Sequence, residues 1–168
     1  MADFRKNLRA FFLLLLLIVL VSWLLDLLHA PKAPQGFAQQ PFHTIDGRKL
    51  TIAALSAKKP LLIYFWSRDC GVCRYTTRNI LSQAASGENV LIVTQRSGDD
   101  IQVVRLLQGR HLTVPVINDP TGAMAKQWQV SVLPTMLVVI KGRIILYTTG
   151  WTSDWGTRLR TGWVAKWY

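Results

Sequence analysis

The stretch LLIYFWSRDCGVC, residues 61–73, decides the fold of this chain. Its first six residues are continuously apolar, which predicts a central strand that is buried on both faces of a sheet. Two cysteines follow, Cys70 and Cys73, separated by Gly71 and Val72, and the chain has no others. The residues after Cys73 have the pattern of a helix. A buried strand, a C-x-x-C pair and a helix are therefore predicted to follow one another.

A C-x-x-C pair at the start of a helix indicates reversible dithiol–disulfide chemistry. The turn brings both sulfurs to one end of the helix, where unpaired N–H groups and the positive end of the helix dipole favour a thiolate. We expect Cys70 to face outward as the attacking thiolate and Cys73 to cut the mixed disulfide. The redox-active disulfide Cys70–Cys73 needs no cofactor, and none is predicted.

Other uses of the two thiols stay open at this point: a structural disulfide, half of a zinc site and a Cu(I)–thiolate site. A closed zinc site needs four ligands, and no second cysteine pair exists. The three histidines, His29, His43 and His111, do not stand at metal-ligand spacing from the cysteines, so no metal-binding residue is predicted. The alternative function is therefore periplasmic Cu(I) binding or copper tolerance through the two thiolates.

The N-terminal part differs in composition from the rest. Residues 1–9 are short and basic, and residues 10–28 are almost wholly apolar. At about 1.5 Å per residue this run just crosses a bilayer core if Asp26 reaches the far interface. Because basic residues stay in the cytoplasm, we predict a cytoplasmic tail, a single transmembrane anchor and an exported remainder.

Two further features bear on this anchor. A cleaved signal peptide is the competing interpretation, but cleavage after Ala30 would need a small residue at Leu28 and would place Pro31 just after the cut. Residues 29–41 are rich in Pro, Gly, Ala and Gln, which predicts an extended linker between the anchor and the domain.

The basic charge is scattered rather than clustered. The net charge is +11, and residues 30–168 carry 17 Lys and Arg against 7 Asp and Glu. No aromatic–basic RNA motif occurs, so no nucleic-acid partner is predicted. Scattered positive charge is typical of a domain held near anionic lipid.

Strand and helix patterns alternate through the rest of the chain. The first predicted elements are a hairpin over 42–52 with its turn at Asp46–Gly47, the strand 61–66 and a helix from the cysteines to Gly87. A strand over 89–94 follows, and then a helix that is opened by Ser97, Asp99 and Asp100 and stopped by Gly109. The last are an edge strand over 113–117 interrupted by Pro115, a helix over 121–128, and paired strands over 136–140 and 143–148. This order predicts an α/β fold in which a mixed central sheet has helices on both faces, with residues 42–168 as one domain.

The C-terminal segment carries a large apolar residue at every fourth position. The series is Trp151, Trp155, Leu159, Trp163 and Trp167. On a helix these side chains share one broad face, and we expect that face to pack on the sheet as part of the core.

Two loops resemble a known family. Residues 64–73, YFWSRDCGVC, are similar to the FWAxWCGxC segment of thioredoxins, and residues 132–135, VLPT, are similar to their cis-proline loop. The apolar N-terminus, the hairpin and the 64-residue gap between Cys70 and Pro134 resemble the membrane-anchored TlpA-like branch. Within that branch the chain resembles the suppressor-of-copper-sensitivity protein D group, over residues 37–168.

This resemblance implies a TlpA-like thioredoxin fold and a protein thiol–disulfide oxidoreductase. It implies a cis peptide between Leu133 and Pro134, lying against the cysteines, with the Leu133 backbone free to pair with a substrate strand. Trp66, Gly71 and Val72 are implied to support the site. The implied partners are protein thiols and disulfides and an oxidoreductase that recharges the pair. The implied location is the bacterial inner membrane, with the domain in the periplasm.

Several positions depart from the family pattern. Tyr64 stands where thioredoxins carry a buried acid that helps to deprotonate the resolving thiol, and Thr76 stands where TlpA-like reductases often keep a glutamate. Without these carboxylates we expect the cysteine pair to be oxidising or only weakly reducing. No helix-kinking proline occurs around residues 78–79.

Charges beside Cys70 oppose one another. Asp69, which replaces the usual tryptophan, opposes a thiolate or caps the helix, whereas Arg68, Arg74 and the helix N-terminus favour the thiolate. We expect a modestly lowered pKa for the Cys70 thiol.

Overall fold

A computed structural model describes residues 2–28, 30–108, 114–152 and 154–167. Within these ranges the helices are α1 Ala2–Leu28, α2 Ile52–Leu55, α3 Cys73–Ala85, α4 Asp100–Gln108, α5 Ala123–Gln127 and α6 Asp154–Trp167. The strands are β1 Pro41–His43, β2 Lys49–Thr51, β3 Leu61–Trp66, β4 Val90–Gln95, β5 Val116–Asp119, β6 Thr135–Ile140 and β7 Arg143–Thr149.

The strand that precedes the cysteines is the middle strand of the main sheet. The five strands are ordered β5-β4-β3-β6-β7. β3 and β5 each run parallel to β4, whereas β6 is antiparallel to both β3 and β7. All six residues of β3 are buried, because helices cover both faces. The predicted mixed sheet of an α/β fold is confirmed.

The side chains of β3 alternate between two separate cores. Leu62, Tyr64 and Trp66 point to the face that is covered by α3, α4 and α6. The remaining β3 side chains, among them Ile63, point to the opposite face of the sheet, which is covered by α5 and Trp128. A continuous apolar run is needed at this position because successive strand residues face opposite sides of the sheet.

The predicted hairpin is confirmed as β1 and β2, in which Phe42 pairs with Leu50. Gly47 occupies its turn with a φ of +81°, a conformation that glycine adopts without strain. The Asp46 carboxylate accepts a hydrogen bond of 2.8 Å from Arg48 Nε. The pKa of Asp46 is lowered to about 2; the hydrogen bond from Arg48 is the largest cause, and the hydrogen bond from the Thr44 hydroxyl is the next.

Two predicted boundaries differ from the structure. α4 begins at Asp100 rather than at Ser97, because Asp99 is its cap: Asp99 Oδ1 accepts a 2.8 Å hydrogen bond from the Gln102 N–H, and Gln102 Oε1 accepts one of 3.1 Å from the Asp99 N–H. β5 is an edge strand as predicted, but it begins after Pro115 instead of including it. The predicted helix stop at Gly109 and the residues His111 and Thr113 lie outside the described residues.

The N-terminal anchor predicted over residues 10–28 falls within α1. In the part of the chain that the structure describes, no helix combines the length and apolar character that crossing a membrane requires. His29 and the side chain of Asp26 lie outside the described residues.

Part of the predicted linker packs against the domain instead of standing free. The Lys32 N–H donates a 2.9 Å hydrogen bond to the Trp128 carbonyl. The ring of Phe37 packs edge-on against Trp128, with 5.1 Å between the ring centroids. Phe37 supplies the apolar contact that composition alone did not reveal.

The prediction that the C-terminal tryptophan series packs on the sheet is wrong. Its exposed fractions are 66% for Trp151, 76% for Trp155, 66% for Leu159 and 53% for Trp163, and the side chain of Trp167 lies outside what the structure describes. The inward face of α6 consists of Thr157, Thr161 and Val164 instead. These small β-branched residues let α6 pack closely on α3 and β6.

Candidate active site

The two cysteines lie where the middle strand gives way to a helix. Cys70 and Cys73 are joined by a disulfide, and their Cα atoms are 5.3 Å apart. Cys73 is the first residue of α3 and is fully buried, whereas Cys70 is half-buried in the preceding loop. The predicted position of the pair at a helix tip, with Cys70 on the outer side, is confirmed.

The N-terminus of α3 supplies a hydrogen-bond donor to Cys70. The Cys73 N–H donates to Cys70 Sγ over 3.2 Å. Val72, the N-cap residue, makes no side-chain capping bond. The first turn of the helix therefore directs its partial positive charge at this sulfur, which stabilises a thiolate there once the disulfide is reduced.

The loop before β6 faces the same sulfur. The peptide between Leu133 and Pro134 is cis, as the resemblance implied. The Leu133 carbonyl oxygen lies 3.6 Å from Cys70 Sγ. The Pro134 carbonyl accepts a 2.8 Å hydrogen bond from the Gly150 N–H at the end of β7. The two loops singled out in the sequence thus meet at one end of the sheet.

A neutral hydrogen-bond network lies beneath Cys73. The Tyr64 hydroxyl is fully buried, 3.4 Å from the Cys73 carbonyl oxygen and 3.0 Å from Thr77 Oγ1. Thr77 donates a 2.6 Å hydrogen bond to the same carbonyl. Thr76 is also buried, with its hydroxyl bonded to the Val72 carbonyl. The polar side chains that the structure places around Cys73 are therefore hydroxyl groups, and Tyr64 and Thr76 stand there in place of carboxylates.

Trp66, Val72 and Gly71, which were also predicted to support the site, differ in how far they are buried. Trp66 is almost fully buried in the core that includes Cys73, and its indole N–H has no hydrogen-bond partner among the described residues. Val72 is 44% exposed at the rim. A methyl group on Gly71 would meet open space, so packing does not require glycine there.

Ser97 positions the cysteine loop, a role that the sequence analysis missed. Its buried hydroxyl accepts a 2.9 Å hydrogen bond from the Arg68 N–H and donates one of 3.0 Å to the Gln95 carbonyl. It thereby ties the loop after β3 to the loop after β4. The only feature of the sequence that could have indicated this role is a serine after a buried strand. A serine at that position is equally typical of a helix cap, which is the role that we predicted.

The charges at the rim are exposed. Asp69 does not cap α3; its carboxylate lies 3.4 Å from Arg68 Nε in an exposed ion pair. Arg74 and Arg78 on α3 are also exposed.

Among the described residues no group of three or more His, Cys, Asp or Glu side chains could hold a metal ion. His43 lies in β1.

Comparisons with known proteins agree with this geometry. Residues 32–156 match the Redoxin family model. A thioredoxin-like protein from Haemophilus influenzae is 35% identical over 156 residues, which are 93% of each chain.

Two solved structures show the same fold. One is a secreted thiol-disulfide isomerase from Corynebacterium glutamicum, with a TM-score of 0.64 and 16% identity, covering 76% of this chain and 83% of that one. The other is a thioredoxin-family thiol:disulfide interchange protein from Chlorobium tepidum, with a TM-score of 0.61 and 18% identity, covering 80% and 96%.

Proposed function

We propose that this chain, which belongs to the Redoxin family and is a thioredoxin-like thiol–disulfide oxidoreductase, exchanges disulfides with protein substrates through Cys70 and Cys73. The observation that carries the proposal is the unequal exposure of the two sulfurs. An incoming sulfur reaches half-buried Cys70, whereas Cys73 is fully buried behind it. This asymmetry assigns attack to Cys70 and resolution to Cys73.

The exchange proceeds in two balanced steps. In the reduced chain the Cys70 thiolate attacks a substrate disulfide, so that one S–S bond forms, the substrate S–S bond breaks and a substrate thiolate leaves. The Cys73 thiolate then attacks Cys70 Sγ, which forms the Cys70–Cys73 disulfide and releases the second substrate thiolate. The same steps in reverse oxidise a substrate dithiol, and the relative reduction potentials set the direction.

The surroundings support particular roles in these steps. The Cys73 N–H, 3.2 Å from Cys70 Sγ, stabilises the thiolate both as attacking and as leaving group. The exposed rim at Val72 and the Leu133 carbonyl lie beside the reacting sulfur, where a substrate backbone would pair. The chain itself needs no cofactor for this chemistry, but each turnover leaves the pair in the opposite redox state, so a partner oxidoreductase recharges it.

Attachment to the periplasmic side of a bacterial inner membrane is also part of the proposal. Its support is α1, whose described large apolar side chains from Phe11 to Leu28 are all exposed instead of packing in the domain. A helix that is apolar on all sides needs a nonpolar environment. Fractionation of cells checks this: the full chain is expected in the membrane fraction after a high-salt wash, with its domain digested by protease only when the periplasm is opened.

Cu(I) carriage is the alternative that the sequence left open. Two adjacent thiolates bind Cu(I), but no observation in the structure favours this function over disulfide exchange. Titration of the reduced full chain with Cu(I) separates the two: tight stoichiometric binding without disulfide exchange would favour carriage.

Trapping of mixed disulfides tests the proposed function. The Cys73→Ser variant of the full chain should hold protein substrates from periplasmic extract through Cys70, because the resolving thiol is gone. The matched control is Cys70→Ser, which leaves only the buried sulfur and should trap almost nothing. Equal capture by both variants, or none by either, would contradict the assignment.

A further inference from the structure

Exposed apolar side chains line the last helix and the segment that leads into it. We define the α6 aromatic face as Trp151, Trp155, Leu159 and Trp163, each more than half exposed. Trp155 and Trp163 are separated by two helical turns, so the face is about 12 Å long on α6 alone. Contiguous exposed aromatic surface of this kind marks an interaction site.

This face begins beside the loop that faces Cys70. The Gly150 N–H bonds to the Pro134 carbonyl, so that Trp151, the next residue, stands beside the loop that faces Cys70. α6 also packs against α3, the helix that begins at Cys73. On the outer side of α3, Tyr75 is 69% exposed. The α6 aromatic face therefore begins close to the loop that a substrate disulfide at Cys70 would meet.

The charges around this face are positive. α6 contains three basic residues and one acidic residue, and Arg158 and Lys166 are exposed on its outer side. Arg74 and Arg78 are exposed on neighbouring α3. Such an arrangement complements a segment in which acidic residues flank apolar ones.

The position of α1 argues against lipid as the occupant. After α1, the chain binds Trp128 through Lys32 and Phe37, on the sheet face that α5 covers. α6 covers the opposite face of the sheet, through Val164. The chain that leaves α1 therefore meets the domain on the sheet face opposite to α6, which favours a polypeptide over the bilayer of α1 as the occupant of the α6 aromatic face.

We propose that the α6 aromatic face binds an acidic, apolar segment of the polypeptide whose disulfide is exchanged at Cys70. This proposal rests on the proposed function, because it names the partner of the same site. Docking beside the sulfur raises the local concentration of the substrate disulfide. It therefore lowers the substrate concentration at which the exchange reaches a given rate and leaves the chemical steps unchanged.

Single-turnover kinetics on the reduced full chain in mild detergent test this. The probes are a disulfide-bonded peptide with Glu and Leu residues around its cysteine, the same peptide with Lys in place of Glu, and hydroxyethyl disulfide as a small neutral reference. The double variant Trp155→Ala/Trp163→Ala should lower the rate ratio of acidic peptide to small disulfide about tenfold, as loss of two aromatic anchors does at interfaces. Ile101→Ala, which removes an equally exposed apolar side chain from α4, should leave the ratio unchanged.

Lys166→Glu provides a second readout that leaves the aromatic residues in place. It should weaken the reaction of the acidic peptide and improve that of the basic one, relative to the small disulfide. An unchanged ratio in both the double variant and Lys166→Glu would overturn the docking proposal. No reaction of the wild-type chain with hydroxyethyl disulfide would instead overturn the proposed function, so the two failures are distinguishable.

Other occupants give different results. If the wild-type chain is a dimer in sedimentation and the double variant is a monomer, the face binds a second copy and the proposal is overturned. If Trp155 and Trp163 become protected from hydroxyl-radical oxidation when the chain enters anionic lipid nanodiscs, the face binds lipid, and the proposal is again overturned.

Discussion

The Sγ atom of Cys70 lies 3.6 Å from the carbonyl oxygen of Leu133, although the two residues are 63 positions apart in the chain. β3 and β6 are neighbours in the sheet and antiparallel, so the end of β3 and the start of β6 meet at one edge. The two cysteines and the cis-proline loop are thereby brought to the same point.

Asp69→Asn should speed the alkylation of Cys70 in the reduced chain. The carboxylate precedes Cys70 directly and opposes a negative sulfur, and its removal also releases Arg68 from their 3.4 Å ion pair. Because both side chains are exposed, we expect only about a twofold change in rate at neutral pH and low salt. Iodoacetamide alkylation of the Cys73→Ser background measures it. Arg68→Gln is the opposite change and should slow the reaction; a slower reaction in Asp69→Asn would contradict this account.

Ser97→Ala should destabilise the domain and loosen the cysteine loop. The substitution leaves the Arg68 N–H and the Gln95 carbonyl without their buried partner, which costs about 1–3 kcal/mol. Urea unfolding of the oxidised chain measures the free energy of unfolding. Ser86→Ala removes an exposed hydroxyl that bonds only within its own helix, and it should have little effect. Equal stability of the two variants would show that Ser97 does not anchor the loop.

Tyr64→Phe should destabilise the chain by about 1 kcal/mol, because it removes a fully buried hydroxyl that bonds to Thr77 and lies near the Cys73 carbonyl. The ring stays, so packing is preserved. Tyr75→Phe removes the hydroxyl of an exposed tyrosine on the outer side of α3 and serves as control in the same urea experiment. An unchanged midpoint in Tyr64→Phe would mean that the hydroxyl network contributes nothing to the native state.

Asp46→Asn should destabilise the hairpin near neutral pH and lose this effect in acid. The Asp46 pKa is lowered from 3.8 to about 2, chiefly by the hydrogen bond from Arg48. A carboxyl with a lowered pKa stabilises the folded state above its unfolded pKa, and the contribution disappears as the pH falls through the folded pKa. Since the pair is exposed, solvent screening keeps the effect below about 1 kcal/mol.

Thermal midpoints of wild type and Asp46→Asn, compared near neutral pH and near pH 2, check that prediction. The two midpoints should converge in acid. A difference that stays constant between the two conditions would show that the ion pair does not cause it.

Short-range patterns in the sequence correctly predicted most of the elements around the site. The apolar run of β3 is buried on both faces as predicted, and the turn at Gly47 forms the expected hairpin. The short helix α2 was missed, because four residues are too few to show a helical period. Thr51 is its cap, with a hydroxyl that accepts from the Ala54 N–H.

The contacts that the sequence analysis missed depend on residues that are distant in the chain. The Ser97 hydroxyl bonds the Arg68 N–H 29 positions away, so no local pattern distinguishes it from a helix cap. For α6, a spacing of about four residues fits the tryptophans and also fits Thr157, Thr161 and Val164. Periodicity therefore indicated a helix with two faces without indicating which face turns inward.

The sequence by itself determined the strand, the cysteine pair at a helix tip and the alternation of strands and helices, because these depend on residues that are close neighbours in the chain. Only the tertiary structure decided that Ser97 holds the cysteine loop and that the tryptophans of α6 face outward. The physical reason is that close packing admits only small side chains between α6, α3 and β6, and this fit is a property of surfaces that form after the chain has folded.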